Sequence, residues 1–272
     1  MIKVNGRIFG SEQFSNGEVS YKPVTVKPDH NMIELFFQDN KDITDLQFAV
    51  EFIRDKEPGA EIDLTMLYVP YGRMDRPING YVYSLKMFSN IINRMEFARI
   101  YTLDNHSNGI TDLLEHVVEL DINPYIEKVR ELFRPDYLFF PDAGAMKKYP
   151  QKINACARNQ IPYFYGQKQR VLDDSREIIS YELFNNDLSL TGKRILIIDD
   201  ICCTGGTVLR AANIMRQRGV ADIALWVAHC ENNVIKYDIV RENSSISKLY
   251  TSGSIIRNYT IPEIEVIHRE WG

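Results

Sequence analysis

Between Arg194 and Thr207 the chain reads Arg-Ile-Leu-Ile-Ile-Asp-Asp-Ile-Cys-Cys-Thr-Gly-Gly-Thr, and these residue types belong to anion and diol chemistry. The β-branched run reads as a buried parallel strand. Asp199 and Asp200 mark its C-terminal end, and Thr204-Gly205-Gly206-Thr207 leads into a helical pattern from Val208 to Arg218. A strand, a glycine turn and a helix start bring unpaired backbone N–H groups and the positive end of the helix dipole to one spot. The glycines let the backbone wrap a phosphate closely, and the threonine hydroxyls add donors. The two carboxylates then face hydroxyls beside the phosphate, such as a ribose diol, so the whole describes a pocket for a ribose 5-phosphate unit. The plainer alternative is a tight turn whose acids cap or solvate the helix.

Other chemistry-bearing groups also sit at strand ends. Arg73 and Arg76 flank Asp75 in Tyr71-Gly-Arg-Met-Asp-Arg76. Two arginines three apart in a loop can fork onto phosphate or stack on a purine, or they can form a surface ion-pair cluster with the aspartate. His106 closes Asp104-Asn-His106, where an α/β fold binds ligands, although a structural histidine fits as well. Asp142 in Pro141-Asp-Ala-Gly144 suits either Mg²⁺ coordination or a helix cap. Lys168 and Arg170, at i and i+2 in an extended segment, point the same way. Closing over a triphosphate, they would stabilise charge on a transferring group; otherwise they are solvated surface cations.

The elements that must position these groups alternate. Apolar runs read as strands at Met32–Gln38, Leu64–Val69, Ala98–Leu103, Tyr137–Phe140, Ile161–Tyr165 and Ile223–Ala228. Helical spacing covers Asp42–Arg54, Ser84–Met95, Tyr125–Phe133 and Ala145–Asn159. The expectation is an α/β fold of two similar domains, each a mostly parallel sheet flanked by helices, joined near Leu120–Pro124. The polar stretch Gly166–Asp187 is a candidate lid, and equally an exposed hairpin.

The composition limits the function classes. With 272 residues, 44% of them apolar, and a formal charge of −5, the chain can bury a sizeable core but has no global attraction for nucleic acid or an anionic membrane. Its four cysteines, Cys156, Cys202, Cys203 and Cys230, lack disulfide-framework or zinc spacing. There is no secretory segment and no apolar run near 18 residues, so a cytoplasmic setting is expected.

The order of the motifs is more specific than any one of them, and it resembles the ribose-phosphate pyrophosphokinase (PRPP synthetase) family over roughly residues 14 to 230. Phe14-Ser-Asn16-Gly-Glu18 is similar to the family's Phe-Ser-Asp-Gly-Glu loop, Arg73-Met-Asp75-Arg76 to its Arg-Gln-Asp-Arg loop, and Thr102-Leu-Asp-Asn-His106 to its Thr-Met-Asp-Leu-His. Pro141-Asp142-Ala-Gly144 matches its Pro-Asp-x-Gly loop, and Lys168-Gln-Arg170 its Lys-x-Arg pair. Asp199 to Thr207 matches its ribose-phosphate loop.

The resemblance implies two tandem phosphoribosyltransferase-type domains, 1–121 with the ATP loops and 122–272 with the ribose-phosphate and catalytic loops. It implies transfer of the β,γ-diphosphate of Mg·ATP to the C1 hydroxyl of a ribose 5-phosphate moiety. Phe14, Asn16, Glu18, Arg73, Asp75, Arg76 and His106 would bind ATP, His106 and Asp142 would hold Mg²⁺, and Lys168, Arg170 and His106 would be catalytic. Asp199, Asp200, Cys203, Thr204, Gly205, Gly206 and Thr207 would bind the ribose phosphate. A homo-oligomer, at least a dimer, with an ATP site shared between subunits is also implied. Cys203 stands where the family loop carries a third acid, and Gly205 where it carries alanine, which removes a carboxylate and opens the loop. That departure motivates the same chemistry on a larger acceptor such as ADP-ribose, which would serve NAD-related metabolism. A phosphoribosyltransferase consuming PRPP and a non-catalytic regulatory relative are the other classes weighed. The first has no use for the Arg73, Arg76, His106 and Phe14 set, and the second none for Lys168, Arg170 and Asp142.

Overall fold

Ile195, Leu196, Ile197 and Ile198 are all fully buried in the computed structural model, as a strand covered on both faces must be. The structure describes residues 1–77, 80–154, 161–170, 178–184, 188–241, 244–255 and 261–268. These form two units, Met1–Asp121 and Ile122–Gly272.

The first unit opens with two hairpins, β1 (Ile2–Val4) with β2 (Arg7–Ile8) and β3 (Ser11–Gln13) with β4 (Val19–Tyr21). Then come β5 (His30–Leu35), α1 (Lys41–Lys56), β6 (Glu61–Thr65), α2 (Ser84–Asn93), β7 (Arg99–Leu103), α3 (Gly109–Leu113) and β8 (Val117–Leu120). The sheet order is β2-β1-β5-β6-β7-β8. Strands β5 to β8 are parallel, while β1 runs antiparallel to β5. Helix α1 buries Leu46, Ala49, Val50 and Ile53, a stripe at helical spacing. Each such side chain removed from water contributes about 1.5–3 kcal/mol.

The second unit contains α4 (Asn123–Phe133), β9 (Tyr137–Phe140), α5 (Ala143–Asn154), β10 (Tyr163–Arg170), β11 (Ile178–Phe184) and β12 (Arg194–Cys202). It continues through α6 (Gly206–Gln217), β13 (Asp222–Cys230), α7 (Asn233–Lys236), β14 (Lys248–Thr251) and β15 (Ile264–Val266). Its sheet order is β11-β10-β9-β12-β13-β14-β15, parallel except where β11 pairs antiparallel with β10. The expected α/β architecture of two mostly parallel sheets flanked by helices is therefore observed.

Two local expectations shift, and a third takes one of its two readings. The strand read at Leu64–Val69 starts earlier and ends at Thr65, because Asp63, Leu64 and Thr65 pair with β7 while β5 takes Glu61 onward. Strand β12 runs beyond the two acids to Cys202, since Ile201 and Cys202 still pair with His229 and Cys230. The Gly166–Asp187 stretch is a hairpin over its described residues, with Tyr165 to Arg170 paired to Ile178–Phe184.

Candidate functional site

Strand β12 ends in the central position of the second sheet, and the turn into α6 follows at once. Gly205 is the N-cap of α6, with φ 67 and ψ 9, the left-handed region that glycine enters without a Cβ clash. Its carbonyl accepts the Leu209 N–H at 2.8 Å, so the helix starts tightly against the strand end. A Cβ at Gly206 would meet nothing within 4 Å, leaving open space at the helix start. At Gly205 the space is taken: an added Cβ would lie 2.8 Å from Cγ1 of the buried Ile239.

Asp199 and Asp200 are successive strand residues, and their surroundings differ. Asp200 is buried, with Lys148 of α5 at 3.7 Å, and its backbone N–H donates to the Asp199 carboxylate at 3.0 Å. Asp199 belongs to the surroundings of Tyr181 and Cys202, and its charge opposes ionisation of both. Burial is the larger cause for each, and it pushes the Cys202 thiol well up. Cys203 is half-buried, and the Asn233 amide nitrogen lies 3.6 Å from its sulfur and 3.5 Å from a Glu231 carboxylate oxygen. The Glu231 N–H also donates to the Cys202 carbonyl at 3.0 Å, so the carboxylate residue directly after β13 stands beside the loop next to Cys203.

Asp142 follows β9 and caps α5: its Oδ1 accepts the Ala145 N–H at 3.0 Å. The side chains of Lys168 and Arg170 lie outside the described residues. Their backbone continues β10 beyond its last pair with β9, at Tyr165 and Phe140, and pairs with Tyr181 and Ile178.

The first unit gathers its own set at the carboxyl ends of β6 and β7. The Tyr71–Arg76 loop starts from a left-handed Tyr71, φ 62, whose ring packs edge-on against Phe37 and at a tilt against Phe88. Its hydroxyl donates to Asn40. Arg73 and Arg76 are exposed, and Asp75 is half-buried. A Cβ on Gly72 would come within 3.9 Å of His106 Cβ, and one on Gly109 within 3.7 Å of Asp75 Cβ. The arginine loop and the exposed His106 therefore lie side by side. Phe14, Asn16 and Glu18 occupy the tip of the β3–β4 hairpin. There Asn16 bridges to Glu18 at 2.6 Å, and the Phe14 ring is 58% exposed.

Lys148, Tyr181, Glu231, Asn233 and Ile239 carry no motif of their own. Only Lys148 left a signal: it lies six residues after Asp142, on the helix that Asp142 starts.

A parallel sheet whose central strand ends in paired acids, a glycine turn and a helix gives the second unit an α/β fold of the phosphoribosyltransferase type. Residues 148–247 match the phosphoribosyl transferase domain model. The ribose-phosphate pyrophosphokinase of Saccharolobus solfataricus is 25% identical over 240 residues, covering 84% of this chain and 77% of that protein. Ribose-phosphate pyrophosphokinase 2 of Archaeoglobus fulgidus is 23% identical over 256 residues, covering 93% and 82%. The Thermoplasma acidophilum enzyme is 25% identical over 196 residues, 69% of this chain and 63% of its own length. A phosphoribosylpyrophosphate synthetase structure from Mycobacterium smegmatis shares the fold with TM-score 0.76 at 16% identity, covering 95% of this chain and 85% of that one. Over most of its length the chain is thus similar to ribose-phosphate pyrophosphokinases, at 23–25% identity to these three. Among the described residues, no helix is long and apolar enough to cross a membrane.

Proposed function

We propose that this protein transfers the β,γ-diphosphate of Mg·ATP to the C1 hydroxyl of ribose 5-phosphate. The C1 oxygen attacks the β-phosphorus, the bond from that phosphorus to the α,β-bridging oxygen breaks, and AMP leaves with that oxygen. The products are a ribosyl 1-pyrophosphate, AMP and the proton lost from the C1 hydroxyl. The observation that carries this reading is the β12–α6 junction, where Asp199 and Asp200 precede an open glycine loop at a helix start. The family relatives support it. Asp199 and Asp200 would orient the ribose hydroxyls, with Cys203 beside them, and Thr204, Gly205, Gly206 and Thr207 would surround the 5-phosphate.

In the first unit, Arg73 and Arg76 would hold the ATP phosphates or stack on the purine, with Asp75 setting the loop against Gly109. The exposed Phe14 tip, with Asn16 and Glu18, suits a contact with the adenine bound by a neighbouring subunit, so we propose at least a dimer. Lys168 and Arg170 would stabilise charge on the transferring group.

Among the described residues, no three His, Cys, Asp or Glu side chains converge to hold a metal. Magnesium brought by ATP needs no such cage, since substrate phosphates, water and one or two carboxylates complete its shell. Asp142 provides such an oxygen. His106 would act on the phosphates or through a water of that shell. The ion would supply charge neutralisation.

A larger acceptor such as ADP-ribose was motivated by the opening at Gly205. Ile239 occupies the side of Gly205 where a Cβ would lie, which favours free ribose 5-phosphate as the acceptor proposed. Incubating the full chain with ATP, Mg²⁺ and each acceptor separately, and scoring AMP, tests it. AMP with ribose 5-phosphate is expected. AMP only with ADP-ribose would exchange the acceptor, and no AMP with any ribosyl 5-phosphate would overturn the reaction.

A further inference from the structure

Tyr181 stands on β11, yet its side chain crosses β10 to reach the end of β9. Its buried hydroxyl donates to the Pro141 carbonyl at 2.6 Å. The crossing needs a bare backbone beneath it, and Gly166 supplies one. A Cβ there would lie 2.5 Å from Tyr181 Cζ and nearer still to its oxygen, and real Cβ atoms do not tolerate such approach. Pro141 immediately precedes Asp142, and the strand register sets Tyr181 opposite Lys168. One phenol therefore ties three strands together where β10 leaves β9, after the Tyr165–Phe140 pair, and becomes an arm carrying Lys168 and Arg170. Burial and the charges of Asp142 and Asp199 all raise the phenol's pKa. The hydroxyl thus keeps its proton, and the donor role, throughout the working pH range.

We propose that Tyr181 is a positioning residue for the transfer reaction: its hydroxyl latches the Gly166–Arg170 arm to the Pro141–Asp142 loop. It acts on chemistry through those two segments, by fixing the lysine–arginine pair relative to the carboxylate that precedes α5. Positioning of this kind is worth large factors in rate, because small displacements of charge-stabilising groups are costly. The catalytic part of the proposal rests on the reaction proposed above, while the latch itself does not.

Two readouts on the full chain separate these parts. Tyr181→Phe removes the hydrogen bond and keeps the ring. Amide hydrogen exchange at Gly166–Lys168 should quicken by about tenfold, while exchange in β13 stays as it was. AMP formation with ribose 5-phosphate should lose about tenfold or more in kcat, with KM for ATP held within twofold. Gly166→Ala should mimic the loss by expelling the ring. In a Tyr181→Ala background the same change should cost less than twofold, since nothing remains to expel. Unchanged exchange in Tyr181→Phe overturns the latch, as do Gly166→Ala and Tyr181→Ala effects that multiply. Faster exchange with kcat within twofold overturns the positioning role. If the wild-type chain forms no AMP with any acceptor, the reaction reading falls, and hydrogen exchange alone decides the latch.

Discussion

Lys148 on α5 holds its ammonium 3.7 Å from the Asp200 carboxylate on β12, with both side chains largely withdrawn from solvent. The helix started by Asp142 thus presents a cation to one of the two acids assigned to the ribose hydroxyls. A carboxylate that loses such a partner is harder to keep charged. Lys148→Met should therefore raise KM for ribose 5-phosphate by about tenfold, as loss of a partly buried ion pair would, and leave KM for ATP nearly unchanged. Steady-state kinetics with each substrate varied in turn checks this. An equal rise in both constants would place Lys148 in general stability instead.

Lys168 and Arg170 carry the heaviest catalytic assignment. Lys168→Ala should lower kcat about a hundredfold or more, as expected when a donor to transition-state charge is removed. Arg170→Ala should act similarly. Turnover within tenfold of wild type in either variant would withdraw that residue from the role.

Gly205→Ala tests the phosphate loop through stability. Alanine at φ 67 is strained by about 1–2 kcal/mol, and its Cβ would press into Ile239, overpacking at a cost of about 1–3 kcal/mol. Urea denaturation should show a loss of about 2–5 kcal/mol. Combined with Ile239→Ala, the double variant should be less destabilised than the sum of the two single changes.

Acid should act through Asp136, directly before β9 and bonded to the first residue of β12. Its carboxylate accepts the Arg194 N–H at 2.8 Å and lies 3.4 Å from Lys193 Nζ. The backbone hydrogen bond is the chief cause holding its pKa below the usual value, with partial burial opposing and Lys193 assisting. A group depressed in the folded state stabilises above its unfolded pKa, about 3.9, and that stabilisation disappears as pH falls through the folded value. Asp136→Asn should therefore cost about 1 kcal/mol at pH 7, given the solvent exposure of the pair, and almost nothing near pH 2. Melting temperatures of both proteins between pH 7 and pH 2 would show the gap closing. A gap constant across that range would overturn the charge-based account.

Most of the sheet scaffold was legible because its strands are long or apolar. Tyr137–Phe140 reads correctly to the residue, and Ile223–Ala228 lies within the observed Asp222–Cys230. Helices α1 and α2 follow their apolar stripes to within about one turn. The elements that escaped are short and exposed, or lean on neighbours for their pattern. Strand β2 has two exposed residues and β3 three, too few for any periodicity. Strand β11 was hidden in a polar stretch because it is an antiparallel edge strand, with Glu182 facing solvent between the buried Tyr181 and Leu183.

The site divides in the same way. Motif residues announce themselves because glycines, paired acids and closely spaced cations are rare combinations. Tyr181 and Ile239 act by touching glycines distant in sequence, at Gly166 and Gly205. Nothing in the chain order reveals such a contact before the chain is folded. Glu231 is hidden for a related reason: it reaches the loop beside Cys203 from just past the end of the next strand.

The packing of Ile239 over Gly205 also constrains the routes open to this lineage. With a branched side chain seated over Gly205, alanine at 205 is accommodated only where residue 239 is smaller. An ancestral sequence carrying alanine at 205 should carry a smaller residue at 239, and grafting either residue alone into the other background should be worse than grafting both.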